Sequence, residues 1–239
     1  MKRTCLVAVW LGVLAPLGLT APGGSAPKEK LQAFQDLIGS WKGTGVPSGT
    51  REERDRGFWQ ETIVWQWQFK GKDVWLRADL DKGKHFTRLE LRYLPEKDAF
   101  ELKATTPAKE TQTFVGKLAD KRLTVDRADE KTKETRRLVF SLLHSNRHLY
   151  REEVRRADRS TFTPVYQVGA TKMGVAFATE DKGIECIVSG GKGTIPVAYK
   201  GKTYYVCCTG CRDAFNDDPE KYIREYEEAK KEKEKEKKD

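Results

Sequence analysis

Ile63-Val64-Trp65-Gln66-Trp67-Gln68-Phe69, then Lys70-Gly71-Lys72-Asp73, then Val74 to Leu80, is the stretch that decides the architecture. Ile63, Trp65, Trp67 and Phe69 fall on one face, with Val64, Gln66 and Gln68 on the other. Successive side chains of a strand point to opposite sides, so a period of two marks a strand with one buried face. The polar Gly-containing turn then sends the chain back into a second strand, a hairpin. Working outward, further strand-like segments follow at short intervals: His85–Leu94, Ala99–Thr105, Thr111–Lys117, Arg122–Arg127, Arg136–Leu143, His148–Arg155 and Thr161–Val168, with a last one through Val175-Ala176-Phe177. Turns at Pro95-Glu96-Lys97-Asp98 and Ser145-Asn146-Arg147 separate neighbours. About ten short strands without intervening helices predict a mainly β fold built as an antiparallel meander. Closing that sheet into a barrel removes its unpaired edges; a β-sandwich is the alternative.

Upstream, Leu31, Phe34 and Leu37/Ile38 are spaced for one face of a short helix, and Gly39-Ser40-Trp41-Lys42-Gly43 follows. A short helix leading into Gly-x-Trp on the first strand resembles the lipocalin-like (calycin) barrels. The resemblance implies an up-and-down barrel over residues 28–180 whose interior holds a hydrophobic small molecule or haem. The residues themselves leave a second reading open, in which Trp65, Trp67, Phe69 and Trp75 fill the core and leave no cavity.

Residues 1–26 have the order of a secretory signal peptide: basic Lys2 and Arg3, an apolar centre around Leu6, Val9, Trp10, Leu11, Val13 and Leu14, and a small-residue exit at Gly23-Gly24-Ser25-Ala26. Pro16 and the Gly/Pro-rich end weigh against a transmembrane anchor. A secreted or periplasmic protein of the bacterial envelope is expected, with no membrane span after removal of the leader. The net charge is +9, and acidic and basic residues balance from Asp181 onward, so the excess lies upstream. There it alternates with acids, as in Arg51-Glu52-Glu53-Arg54-Asp55-Arg56, which reads as a solvated face rather than a nucleic-acid surface.

The three histidines and the acids nominate no catalytic site, and a non-enzymatic protein is expected. His144 and His148 flank the Ser145-Asn146-Arg147 turn and read as exposed turn residues. His85 shares parity with Leu89 and Leu91 and is expected on the inner face of the sheet.

Chemistry concentrates at the other end. Once Cys5 is set aside with the leader, the cysteines are Cys186, Cys207, Cys208 and Cys211. Two β-favouring runs, Ile195–Tyr199 and Thr203–Val206, are joined through Lys200-Gly201-Lys202 as a hairpin. Cys207-x3-Cys211 follows the second run, and Asp218 and Pro219 read as the N-cap and first residue of a helix. Thiolates are soft ligands that select Cu(I), Zn(II) and related ions. A local disulfide or thiol redox activity are the alternatives, the latter weakened because no Cys-x2-Cys is present.

The segment around Cys186, Tyr199-Lys200-Gly201-Lys202-Thr203-Tyr204-Tyr205, Cys207-x3-Cys211, Phe215 and Asp218-Pro219-Glu220-Lys221-Tyr222 resembles the YHS/TRASH-type heavy-metal-associated domain. The resemblance implies a metal-binding module over 181–226, with copper or zinc held by Cys186, Cys207 and Cys211, and with Cys208 an additional candidate. Ser189 stands where the family has the second member of an opening Cys-x2-Cys. Adjacent side chains on extended backbone point apart, which places Cys208 outside the innermost ligands. Residues 227–239, rich in Lys and Glu, are expected to form a charged helical tail.

Overall fold

The alternation of large apolar and polar side chains produces ten strands: β1 (Gly39–Pro47), β2 (Trp59–Lys70), β3 (Asp73–Asp81), β4 (Arg88–Leu94), β5 (Ala99–Thr105), β6 (Thr111–Ala119), β7 (Arg122–Ala128), β8 (Thr135–His144), β9 (Arg147–Arg155) and β10 (Thr163–Lys172). They are seen in a computed structural model that describes residues 25–144, 146–174 and 184–236. The leader predicted over 1–26 falls outside these residues except for Ser25 and Ala26, as does the strand expected at Val175-Ala176-Phe177. From β2 onward each strand pairs antiparallel with the next, and β1 closes the circle by pairing with both β2 and β10. Trp41, for example, lies opposite Ile63 on one side and Lys172 on the other. The expected antiparallel up-and-down barrel is therefore the observed fold.

The interior follows the two-residue period. Ile63, Trp65 and Trp67 of β2 point inward beside Leu80, Ala78 and Leu76 of β3, and all six are buried. Trp75 departs from the expectation that it fills the core. It sits between inward-facing Val74 and Leu76, so the pleat turns it outward, where the Arg92 guanidinium lies 4.1 Å from its ring.

A second departure is helix α2 (Arg51–Gly57), between β1 and β2, where no helix was expected. None of its residues is buried, so it carries no apolar stripe to betray it. A capping box forms it instead: Thr50 Oγ1 accepts from the Glu53 N–H at 3.3 Å, and Glu53 Oε2 accepts from the Thr50 N–H at 2.7 Å.

One end of the barrel is plugged by α1 (Ser25–Gln32) and a 3-10 turn at Gln35–Leu37. Leu31, Phe34 and Leu37 are buried there, and Phe34 meets Phe100 edge-on at 5.2 Å. The gap bounded by Phe34, Leu37, Trp65, Leu91, Leu102, Leu123 and Phe140 has no room for a water molecule. A ligand at that depth would have to displace packed side chains.

Towards the opposite end the interior turns polar, and its charges are partnered. Tyr150 donates to Glu61 at 2.6 Å, Trp59 Nε1 donates to the other Glu61 oxygen at 2.9 Å, and Arg136 pairs with Glu152. Buried carboxylates are tolerable on these terms.

Beyond the barrel come hairpin β11 (Ile195–Tyr199) and β12 (Lys202–Val206), then α3 (Thr209–Asp217) and α4 (Pro219–Glu236). Lys200 and Gly201 both have positive φ, 47° and 76°, the two-residue turn that matches strand twist. Asp218 Oδ1 accepts from the Lys221 N–H at 3.2 Å at the start of α4, and α4 continues into the charged tail, where Glu227 to Lys231 are exposed. Helix α3 lies on β2. Gly210 permits that approach, because a Cβ there would fall 1.7 Å from the Trp67 carbonyl oxygen. Phe69, last of the inward row of β2, meets Tyr222 of α4 at 6.4 Å, and one apolar cluster runs unbroken from barrel to module. Among the described residues, no helix is long and apolar enough to cross a membrane.

Candidate metal centre

Three separate pieces of chain deliver the sulfurs. Cys186 opens a tight turn, in which the Gly190 N–H reaches the Cys186 carbonyl at 2.8 Å. That turn is laid along the hairpin by Ile187 N–H to Tyr205 O at 2.9 Å. Cys207 directly follows β12, and Cys211 lies in the first turn of α3, where the chain changes from extended to helical. The Sγ atoms of Cys186, Cys207 and Cys211 all lie within 4.8 Å of one another, with Cys207 and Cys211 3.6 Å apart. All four described cysteines are free thiols, and Cys186, Cys208 and Cys211 are buried. Three sulfurs each about 2.3 Å from one ion sit about 4 Å from each other when the ion lies in their plane. The observed spacing suits that arrangement.

Cys208 was a fourth candidate. Its thiol touches those of Cys207 and Cys211 but stands outside the mutually close set. Its backbone is still extended, at φ −158° and ψ 171°, yet the divergence expected from Cys207 is incomplete, because the two thiols stay in contact. The backbone N–H groups of Cys211 and Trp67 also draw on its sulfur.

The four thiols share protons. S–H groups of Cys207 and Cys211, with help from Ser189, hold Cys186 far below the usual thiol range. Cys207 and Cys211 do the same for Cys208. Cys207 is pushed up by serving as donor to Cys186 and Cys208, and Cys211 is pushed up first by burial. These contacts favour the thiolate, the ligand form of sulfur, at Cys186 and Cys208 and the protonated form at Cys207 and Cys211.

Ser189 completes the pocket. It is 2% exposed, its Oγ is 3.3 Å from Cys207 Sγ, and its N–H points at Cys186 Sγ at 3.4 Å. The barrel's N-terminal segment supports this loop: Gln32 Nε2 donates to Ser189 O at 3.3 Å, and Gln35 takes the Trp67 indole N–H at 2.9 Å. Gln35 also packs where a Cβ on Gly191 would be, 1.9 Å from its Nε2. Lys172, from the end of β10, donates to Asp36 O at 2.9 Å. Burial lowers its pKa, and the nearby Asp36 and Cys207 oppose that shift. A groove of about 460 Å³ between α1, the Cys186–Gly190 loop and α4 borders the site.

Sequence reasoning did not foresee Gln32, Gln35, Lys172 or the Trp67 backbone as supports. Each acts across the barrel–module seam, and no local spacing signals such a contact.

Residues 194–226 match the YHS domain family. The match covers both sulfurs of Cys207-x3-Cys211 and begins after Cys186 and Ser189. No curated protein matches the chain. Among solved structures, the chain is similar to the structure of EF1p2_mFAP2b bound to DFHBI. That likeness has 10% identity and a TM-score of 0.25, and it covers 60% of this chain and 98% of the other; so loose a match carries no weight for function.

The histidines stand apart from the sulfurs. His148 is not the exposed turn residue expected. It pairs across the hairpin with Leu142 and points inward with Tyr150, 3% exposed and edge-on to Trp41 at 4.5 Å. Neither of its ring nitrogens has a hydrogen-bond partner among the described residues, and burial, then Lys172, depress its pKa to about 4. His85, half-buried at the polar end, stacks on Tyr166 with ring centres 3.8 Å apart. The side chain of His144 lies outside the described residues.

Proposed function

We propose that this chain is an exported, non-enzymatic protein that holds a soft metal ion, copper or zinc, through Cys186, Cys207 and Cys211, and that it serves metal handling in the bacterial envelope. The convergence of three thiol sulfurs within 4.8 Å carries this reading, and the YHS match over 194–226 supports it. The donor set suits the ion chemically: soft sulfur on free thiols, with Cys186 and Cys211 buried and Cys207 half-buried. The bound ion supplies a cross-link between the loop at Cys186, the end of β12 and the start of α3. The chain's own residues supply its cage, with Ser189 against two of the sulfurs and Gln32 fixing the Ser189 loop. The leader-like residues 1–26 support export.

Titration of the reduced protein with Cu(I) or Zn(II) tests the reading. One equivalent is expected for the native chain and none for Cys207→Ser with Cys211→Ser. Unchanged stoichiometry in that double variant removes the site from consideration.

A further inference from the structure

Resting on the reading of the cysteines as a metal centre, we infer that Ser189 sets the choice of ion: it makes the site take a monovalent soft cation of the Cu(I) class in preference to Zn(II). The inference starts from position. Ser189 is in the same tight turn as Cys186, its N–H 3.4 Å from Cys186 Sγ and its Oγ 3.3 Å from Cys207 Sγ. It therefore touches two of the three sulfurs, Cys186 through its backbone N–H and Cys207 through its hydroxyl, and stands at one corner of the cluster. The turn that carries it is tied down, by Cys186 N–H to Gly191 O at 2.6 Å and by Gln32 to the Ser189 carbonyl. A cysteine at this corner would present a fourth sulfur to the same ion without rebuilding the loop.

Chemistry then separates the two ions. Zn(II) in closed protein sites takes four strong donors in a tetrahedron. A neutral serine hydroxyl keeps its proton, is a hard donor, and here is used in a contact with sulfur. A monovalent d10 ion such as Cu(I) is saturated by three soft sulfurs in a plane. The extra thiol, Cys208, meets Cys207 and Cys211 but does not lie within 4.8 Å of all three sulfurs, so the four do not form one mutually close set. A groove lined by Cys186 and Ser189 together with Gln32, Glu185 and Tyr226 borders this corner.

The experiment compares the reduced full chain with Ser189→Cys and Ser189→Ala, titrating each with Cu(I), with Zn(II), and with Co(II) as an optical stand-in for zinc. Ser189→Cys is expected to tighten Zn(II) by about tenfold or more and to give Co(II) the intense absorption of a four-sulfur tetrahedron. Cu(I) affinity in Ser189→Ala should fall by no more than about 10–100-fold, the span of an outer contact. A native chain that binds Zn(II) as tightly as Ser189→Cys overturns the assignment of Ser189 while leaving the cysteine site standing. If no variant binds either ion at the cysteines, the metal reading fails and takes this one with it. Should Ser189→Cys not fold, the Co(II) spectrum of the native chain decides: the intense absorption of a four-sulfur tetrahedron overturns the inference, and its absence at a site that still binds Cu(I) supports it.

Discussion

The barrel hides large rings, Trp41, Trp65, Trp67, Phe114 and Tyr150 among them. The C-terminal module hides smaller groups, Ile187, Val188, Val197, Val206, Ala214, Phe215 and Tyr222 besides Ser189 and sulfur. Burial of apolar area contributes roughly 25 cal/mol per Å², so the barrel has the means to stand by itself. The module borrows: its first helix rests on β2, and its cysteine turn is tied to Gln32 and Gln35. Small domains with thin cores commonly rely on a metal for the rest. The difference teaches that one chain can assign stability to one region and ligand chemistry to another, provided the seam between them is rigid.

The largest test of that division is Phe114→Ala. Phe114 is fully buried on β6, and its loss is expected to cost about 4 kcal/mol, read as a lower denaturant midpoint for the whole molecule. A molecule that kept its global stability would not have its stability centred on the barrel.

Acid is the next lever, through His148. Its folded-state pKa is depressed from 6.5 to about 4, so between those values the unfolded chain binds a proton that the folded chain refuses. Stability is therefore whole above pH 6.5 and falls as pH drops towards 4, by about 3 kcal/mol from this residue. His148→Phe should flatten that part of the pH–stability curve. An unchanged slope would mean that His148 finds a proton acceptor on the way.

Gly210→Ala attacks the seam. The added methyl meets the Trp67 carbonyl, and an expected cost of about 2 kcal/mol should fall on the module. Metal affinity should drop while the unfolding of the barrel, followed by tryptophan fluorescence, holds. Asp218→Ala is the mildest change. Loss of the bond to the Lys221 N–H should cost about 1 kcal/mol, visible as faster amide exchange in the first turn of α4 only.

The barrel was legible because its pattern is local. Ile63, Trp65 and Trp67 announce an inner face by themselves, and Gly-containing turns mark the reversals. Closure by β1 against β10 has no such signature, since the registers of Trp41 and Lys172 are set by everything between them. Helix α2 escaped notice because charge hides a helix that buries nothing, although Thr50-x-x-Glu53 was its readable signal. His148 was misjudged from its nearness to a turn, when its parity with Tyr150 placed it inside. In the module, the spacing of Cys207 and Cys211 and the resemblance carried the site. The roles of Gln35 and the Trp67 backbone arise only when the two regions meet.

Closure between the first and last strands of the barrel also sets an order of events at birth. A polypeptide emerges amino end first, so the outer edge of β1 waits open until Lys172 arrives to cover it. Every described thiol comes later than that residue. In the order of synthesis, the residues of the cylinder therefore precede every described thiol, and Trp67 and Gln35 precede the sulfurs that they come to support.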